Sequence, residues 1–274
     1  MKSIRFLMVL STALFVLALI SSCEEEAEFT AEESDTYTTD GNVESAFVLV
    51  DNITNTGMTY VEENGMGRIA AISSEFECAV LTYSGTKSSG RLEVDFGDGC
   101  TAADGRVWKG KIVLEYTGRR YVEGSIVFTI FNEFYIDGYK VEGTIKSTTV
   151  SASLSEAVFN VEVVAGKLTW PDESFATWNA ERTHTWSISQ SGLVLAVDGI
   201  ANGVNALGTV YQTEITQPLI FKSECVPTSS YVAIQGKKSI KVGENLDILF
   251  DYGSGACDRL VSITIGRLTK DVNF

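Results

Sequence analysis

From about residue 67 to the end of the chain, apolar side chains alternate with polar ones, and few folds can use so long a stretch with a period of two. In "RVWKGKIVLEYT" (residues 106–117), Trp108, Ile112 and Leu114 fall on one face while Lys109 and Glu115 fall on the other. Such alternation is typical of a strand that buries one face. The same pattern predicts buried faces formed by Leu92, Val94, Phe96, Ile126, Phe128, Ile130, Phe159, Val161, Val163, Ile248, Phe250 and Tyr252.

Glycine-containing turns separate these strands. Asp137-Gly138 lies between two alternating runs and predicts a hairpin, because both positions tolerate a positive φ. Asn202-Gly203 and Gln235-Gly236 predict further turns. Residues 64–274 are therefore expected to form an all-β antiparallel meander, folded as a sandwich or a partly open barrel, and any division into two subdomains is expected near residues 170–190.

A helical period precedes the strands and predicts one short amphipathic helix over residues 42–63. Asp40 and Asn42 are candidate N-caps, and Gly65 supplies a stop. The apolar stripe consists of Val43, Ala46, Phe47, Val50, Ile53, Met58 and Val61.

The first 22 residues are typical of a secretory signal, with Lys2 and Arg5 ahead of an apolar run that is short for a membrane-spanning helix. The run ends in "ISSC" at residues 20–23, which resembles a bacterial lipobox. We therefore expect cleavage before Cys23 and lipidation of that residue, which anchors the protein to a membrane. The alternative is an ordinary cleavage site with a chance cysteine.

Residues 23–41 are acidic and nearly free of large apolar side chains, which predicts a disordered, solvated tether. An acidic run directly after a lipidated cysteine resembles the export signal of Bacteroidota lipoproteins that reach the outer face of the outer membrane. The alternative is a plain spacer on a protein that faces the periplasm.

Four further cysteines predict two disulfides in an exported protein, although four cysteines permit three pairings. Two similar phrases narrow the choice: "EVDFGDGC" at residues 93–100 and "LFDYGSGAC" at residues 249–257, each with a cysteine upstream. This repetition favours Cys78 with Cys100 and Cys225 with Cys257. Each phrase is predicted to be a strand end followed by a glycine turn.

The charge argues against a nucleic-acid partner. Without residues 1–22 the chain has 19 basic and 36 acidic residues, a formal charge of −17 that repels phosphate backbones. No basic stripe offsets it.

Searches for catalytic and metal-binding patterns favour a protein that is not an enzyme and holds no cofactor or metal. Asp95, Asp98 and Asp104 depart from a calcium-loop pattern, since glycines occupy ligand positions. The single histidine, His184, has the strand parity of Trp186 and is expected to be packed rather than catalytic. A glycosidase carboxylate pair stays open as an alternative, because acidic residues are plentiful.

Three tryptophans are spaced eight residues apart, at Trp170, Trp178 and Trp186. If exposed in a row they would stack on sugar rings and form a glycan-binding surface. Tryptophan is more often buried in a core, so core packing of these three residues is the stronger interpretation.

The phrases "VDFGDGCTAADGRVWKGKIVLEYTG", "NEFYIDGYKVEGT", "ATWNAERTHTW", "QPLIFKSEC" and "FDYGSGACDRLVSITIG" together resemble an uncharacterised family of Bacteroidota surface lipoproteins. The resemblance runs from about Glu77 to the carboxy terminus and implies a secreted β protein of unknown activity. It implies no catalytic residues.

These observations predict a non-enzymatic, lipid-anchored lipoprotein of the cell envelope, located in the outer membrane and exposed at the cell surface. Its role would be structural or ligand-binding, with glycans or envelope components as partners. The alternatives are a glycan-binding module that uses the three tryptophans, a carrier of an apolar ligand, and a glycoside-active enzyme.

Overall fold

A computed structural model describes residues 28–64, 68–70, 78–102, 105–190, 192–225, 232–243 and 246–274. The expected signal segment, Cys23, the start of the expected tether and Asp104 lie outside these residues.

Within the described chain, fifteen strands form one antiparallel sheet in which successive strands are neighbours, except that β4 pairs only with β5. The sheet has two free edges, β1 and β15, which confirms the all-β meander and favours the open form over a sandwich. It runs without interruption through residues 170–190, because β9 pairs with both β8 and β10. The strands are β1 Arg68–Ala70, β2 Val80–Thr86, β3 Ser89–Asp95, β4 Cys100–Thr101, β5 Val107–Thr117, β6 Ile126–Ile136, β7 Tyr139–Ala152, β8 Glu156–Thr169, β9 Phe175–Ser189, β10 Gly192–Val204, β11 Val210–Lys222, β12 Gln235–Val242, β13 Leu246–Ser254, β14 Leu260–Ile265 and β15 Leu268–Asn273.

Among the described residues one long helix, α1 (Ala31–Asn64), lies inside the curl of this sheet. It contacts Thr129 of β6, Trp178 of β9 and Lys238 of β12, so distant strands surround it. From residue 39 to residue 62 no side chain of the helix is fully exposed. The described residues include no helix with both the length and the apolarity needed to cross a bilayer.

The helix begins earlier than the sequence analysis predicted, and residues 31–41 are helical rather than a disordered tether. Its N-cap is Thr30, not Asp40 or Asn42. Thr30 and Glu33 form a capping box, in which the Glu33 amide donates to Thr30 Oγ1 and the Thr30 amide donates to Glu33 Oε2. The acidic composition of this segment predicts disorder, whereas Glu33 forms part of the helix cap.

Irregularities in the strands bend the sheet around α1. Gly110, at φ +80°, faces Glu133, and a Cβ atom at Gly110 would lie 1.8 Å from the Glu133 carbonyl oxygen. A Cβ atom at Gly166 would lie 3.0 Å from the Phe47 ring of the helix. Register shifts accompany both sites. Glycine therefore permits the close approach of strand to strand and of strand to helix.

Most of the predicted buried faces are confirmed, but the face of β6 is reversed. Val127 and Thr129 point inward, and Phe128 on the opposite face is 40% exposed. The inward position of Thr129 is set by its hydrogen bond to Thr54 of the helix, at 2.9 Å. The prediction that Ile126, Phe128 and Ile130 form the buried face of this strand is therefore wrong.

The turn at Asp137 and Gly138 is confirmed, with positive φ at both residues. The other two predicted turns are wrong, because residues 202–203 lie within β10 and residues 235–236 begin β12. Gly203 and Gly236 instead lie where a Cβ atom would meet a neighbouring backbone carbonyl, at 2.3 Å in each case. At both positions glycine therefore allows two backbone segments to lie close together.

The two repeated phrases form the same corner. In the first, the Gly97 amide donates to Asp95 Oδ1 and Lys111 Nζ lies 2.8 Å from Asp95 Oδ2. In the second, the Gly253 amide donates to Asp251 Oδ1 and Lys237 Nζ lies 2.7 Å from Asp251 Oδ2. Disulfides join Cys78 with Cys100 and Cys225 with Cys257, which confirms the pairing. The aspartates thus close turns and bind lysines, and the described residues contain no group of three or more side chains placed to hold a metal.

Candidate functional site

The interface between α1 and the inner face of the sheet contains most of the buried charge of the protein. Asp40, Glu44 and Asp51 are spaced four and seven residues apart, which places all three on one face of the helix. All three are buried. A helix face with three buried carboxylates needs cationic partners, because an unpaired buried charge is strongly disfavoured.

The sheet supplies those partners from inward-facing positions. Arg182 and His184 lie on β9, in the same parity as buried Trp178, and Lys238 lies on β12 in the same parity as buried Ile240. Together these side chains form a buried ionic cluster, which comprises Asp40, Glu44, Asp51, Arg182, His184 and Lys238.

Lys238 is the most enclosed member, and its side chain is fully buried. Its Nζ lies 2.5 Å from Asp40 Oδ2 and 3.1 Å from Glu44 Oε2. Burial disfavours the ammonium, but the charges of Asp40 and Glu44 outweigh it and hold the pKa of Lys238 well above its usual value. The Phe250 ring covers the ammonium, with 4.8 Å from Nζ to the ring centroid.

Glu44 bridges two strands. One carboxylate oxygen binds Lys238 and the other lies 3.1 Å from Arg182 Nη2. Burial raises the pKa of Glu44, but the charges of Arg182 and Lys238 outweigh burial and lower it. Glu44 is therefore held as a carboxylate that joins the helix to β9 and β12 at once.

Asp51 pairs with the only histidine of the chain. Asp51 Oδ2 lies 2.8 Å from His184 Nδ1, and both side chains are buried. Burial raises the pKa of Asp51, but its contact with His184 and the nearby charge of Arg120 lower it overall. Arg120 itself packs over the Phe159 ring, donates to Ser147 Oγ and contacts Asn55 of the helix.

Neutral and partly exposed polar contacts continue this attachment to both ends of the helix. Near its start, Asn205 Nδ2 donates to Thr36 Oγ1 at 2.9 Å. Near its end, Arg119 Nη2 lies 2.7 Å from Glu62 Oε2. Polar side chains therefore fix the position and rotation of α1 along most of its length, which an apolar interface alone would specify less tightly.

The three tryptophans do not form an exposed row. Trp178 is 2% exposed, and its ring lies 5.0 Å from the Phe47 ring of the helix. Trp170 and Trp186 are partly buried against the core, and Trp170 packs edge-on against Tyr139. Trp178 is therefore a core residue, as the stronger of the two sequence interpretations expected, while Trp170 and Trp186 lie at the margin of the core.

A small cavity lies beside the cluster, between Gly41, Glu44, Lys238, Tyr252 and the C-terminal Phe274. Its volume of about 20 Å³ is enough for about one water molecule. Burial raises the pKa of Tyr252 to about 12, so its hydroxyl stays protonated beside Lys238 at neutral pH. The space suits an ordered water rather than a substrate.

The geometry of the buried ionic cluster suits attachment of the helix to the sheet better than catalysis. A carboxylate that binds one imidazole nitrogen is a common way to orient a catalytic histidine. Here the side chains of His184 and Asp51 are enclosed between helix and sheet, and a general base must come within hydrogen-bond reach of its substrate. The pair instead connects α1 to β9.

Sequence analysis missed this cluster. Asp40 was assigned to a cap, and Glu44, Asp51, Arg182 and Lys238 were not singled out. The sequence did contain a signal for the cluster, because Arg182 and Lys238 have the strand parity of apolar neighbours and the three carboxylates share one helical face.

Comparison of the chain with known protein families, with curated proteins and with solved structures found no match.

Proposed function

We propose that this chain is a non-enzymatic, lipid-anchored protein of the cell envelope, with a structural or ligand-binding role carried by its outer surface. One observation carries the proposal: the concave face of the sheet, where such a fold would hold a ligand, is filled by the chain's own helix. The helix is fastened there by the buried ionic cluster. The inner face thus serves stability, and contacts with other molecules fall to the outside.

This arrangement favours a structural body over a carrier of apolar ligands. A carrier needs an empty apolar cavity of several hundred Å³, whereas α1 packs Phe47, Val50 and Ile53 into the curl of the sheet. Replacement of the helix by an apolar ligand would leave Arg182, His184 and Lys238 buried without their carboxylate partners. That cost opposes any exchange of the helix for a ligand.

The anchor and the location rest on the amino-terminal sequence. The "ISSC" phrase supports lipidation of Cys23, and the acidic run that follows supports export to the outer face of the outer membrane. The resemblance to Bacteroidota surface lipoproteins agrees with both. The paired state of these four cysteines is what an oxidising compartment permits.

The test is the mass of the mature amino-terminal peptide, followed by protease treatment of intact cells. We expect an acylated Cys23 and loss of the folded domain on protease treatment. An unmodified Cys23 would refute the anchor, and protection of the domain in intact cells would place it on the periplasmic side. A Cys23→Ser variant, which keeps the folded body, is the matched control for both measurements.

A further inference from the structure

The chain between the expected lipid anchor and the folded body is short. Phe29 already packs against Tyr37, and Lys270 Nζ lies 5.6 Å from the Phe29 ring centroid. Only residues 24–28 separate Cys23 from Phe29. At roughly 3.4 Å per residue, these six steps span at most about 20 Å.

The two ends of the body are distinct, because turns of a meander alternate between them. The start of α1 lies at the end that carries the turn at residues 205–209, where Thr209 Oγ1 donates to Glu32 Oε1. This is called the proximal end. The close of α1 lies at the opposite, distal end, where Glu62 binds Arg119 in the loop between β5 and β6. A helix of 34 residues separates them by about 50 Å.

The proximal turn is held by hydrogen bonds and presents apolar side chains. Asn205 Oδ1 accepts hydrogen bonds from the amides of Leu207 and Thr209, and its Nδ2 donates to Thr36 of the helix. With its base fixed in this way, the turn holds Leu207 outward, 62% exposed, and Val210 is exposed beside it.

We propose that the proximal end rests on the lipid surface, with the turn at residues 205–209 in contact with the bilayer interface. The inference rests on the proposed lipidation of Cys23. A linker of at most about 20 Å keeps the proximal end close to the membrane, and it is too short for the distal end, about 50 Å away, to rest there in its place. The acyl chains supply the attraction, since the acidic chain gains nothing from anionic headgroups. The distal end then faces away from the membrane.

The test uses the full lipidated protein in vesicles of phosphatidylethanolamine and phosphatidylglycerol that contain brominated phosphatidylcholine, which quenches nearby tryptophan. Leu207→Trp reports on the proximal turn. Leu154→Trp, at a distal turn where Leu154 is 100% exposed, is the matched control. After subtraction of wild-type emission, we expect the added tryptophan at 207 to lose most of its fluorescence and the one at 154 to lose none.

Equal quenching at both positions, or none at 207, would overturn the orientation. Flotation of the vesicles is measured first, with Cys23→Ser as the control that should not float. Failure of the wild-type protein to float would count against the lipid anchor itself, whereas a floating protein without quenching at 207 would count only against the orientation. A Gly/Ser insertion of twenty residues after Glu26, with an r.m.s. length of about 25 Å, should weaken quenching at 207.

Discussion

The inner and outer faces of the sheet carry the same kinds of side chain, but those on the inner face are buried and those on the outer face are exposed to water. Lys238 on the inner face is fully buried between two carboxylates, while its sequence neighbour Lys237 on the outer face is 46% exposed and pairs with Asp251. Trp178 packs on the helix, while Phe175 of the same strand lies in the open under Lys167. Residue type alone therefore says little about which contacts hold this fold together.

The ion pairs of the two faces differ in their exposure to water. On the outer face water screens each ion pair, so each contributes little to the free energy of unfolding. On the inner face the charges have been removed from water, and loss of one partner leaves the other without compensation. Matched substitutions in adjacent positions measure this contrast directly.

The largest expected effect is that of Lys238→Ala. It leaves Asp40 and part of Glu44 buried without a cation, so we expect a loss of about 3–5 kcal/mol in the free energy of unfolding or a failure to fold. Urea denaturation measures the change. Lys237→Ala is the control and should cost less than about 1 kcal/mol. Similar losses for the two variants would mean that the inner cluster contributes no more than a surface pair.

Trp178→Ala should lower the free energy of unfolding by about 3–5 kcal/mol, since it opens a cavity against Phe47. Phe175→Ala, on the outer face of the same strand, should have a small effect on the midpoint of thermal unfolding. A Trp178→Ala variant with wild-type stability and weakened glycan pull-down would contradict the core assignment and restore the glycan-binding alternative.

The inner face should also govern the dependence of stability on pH. The pKa values of Glu44 and Asp51 are lowered in the folded state, so their contribution is complete above the unfolded values near 4 and is lost as the pH falls through the folded values. Asp51→Asn should therefore be clearly less stable than wild type at pH 7, and the gap should narrow towards pH 3. Denaturant titrations across this range provide the measurement; a constant gap would show that Asp51 acts without its charge.

The smallest expected effect concerns the two outer corners. Asp95→Ala and Asp251→Ala each remove one turn hydrogen bond and one exposed lysine contact, so each should cost about 1 kcal/mol. The two losses should agree, because the corners share the same contacts. Thermal unfolding with and without calcium should give the same midpoint, and a calcium-dependent shift would show that the aspartates bind a cation.

Patterns that depend on local physics could be predicted from the sequence. The alternation of apolar and polar side chains predicted the strands, and the repeated phrases predicted both disulfide pairs. What failed were features decided by distant partners: Thr129 points inward because Thr54 lies opposite, and Gly203 lies in a strand because Tyr211 and the Thr177 carbonyl approach it. The capping box at Thr30 is a local pattern that the sequence contains, but the acidic composition around it predicts disorder instead of a helix.

The position of α1 at the start of the chain has a consequence for the order of assembly. Its carboxylates bind cations far downstream, since Lys238 follows Asp40 by 198 positions, and its Tyr37 packs against Phe274 beyond β15. Contacts of such separation form slowly, because long loops must close before any contact is gained. The buried ionic cluster can therefore close only after β12 is available to the helix, although the helix precedes every strand that surrounds it.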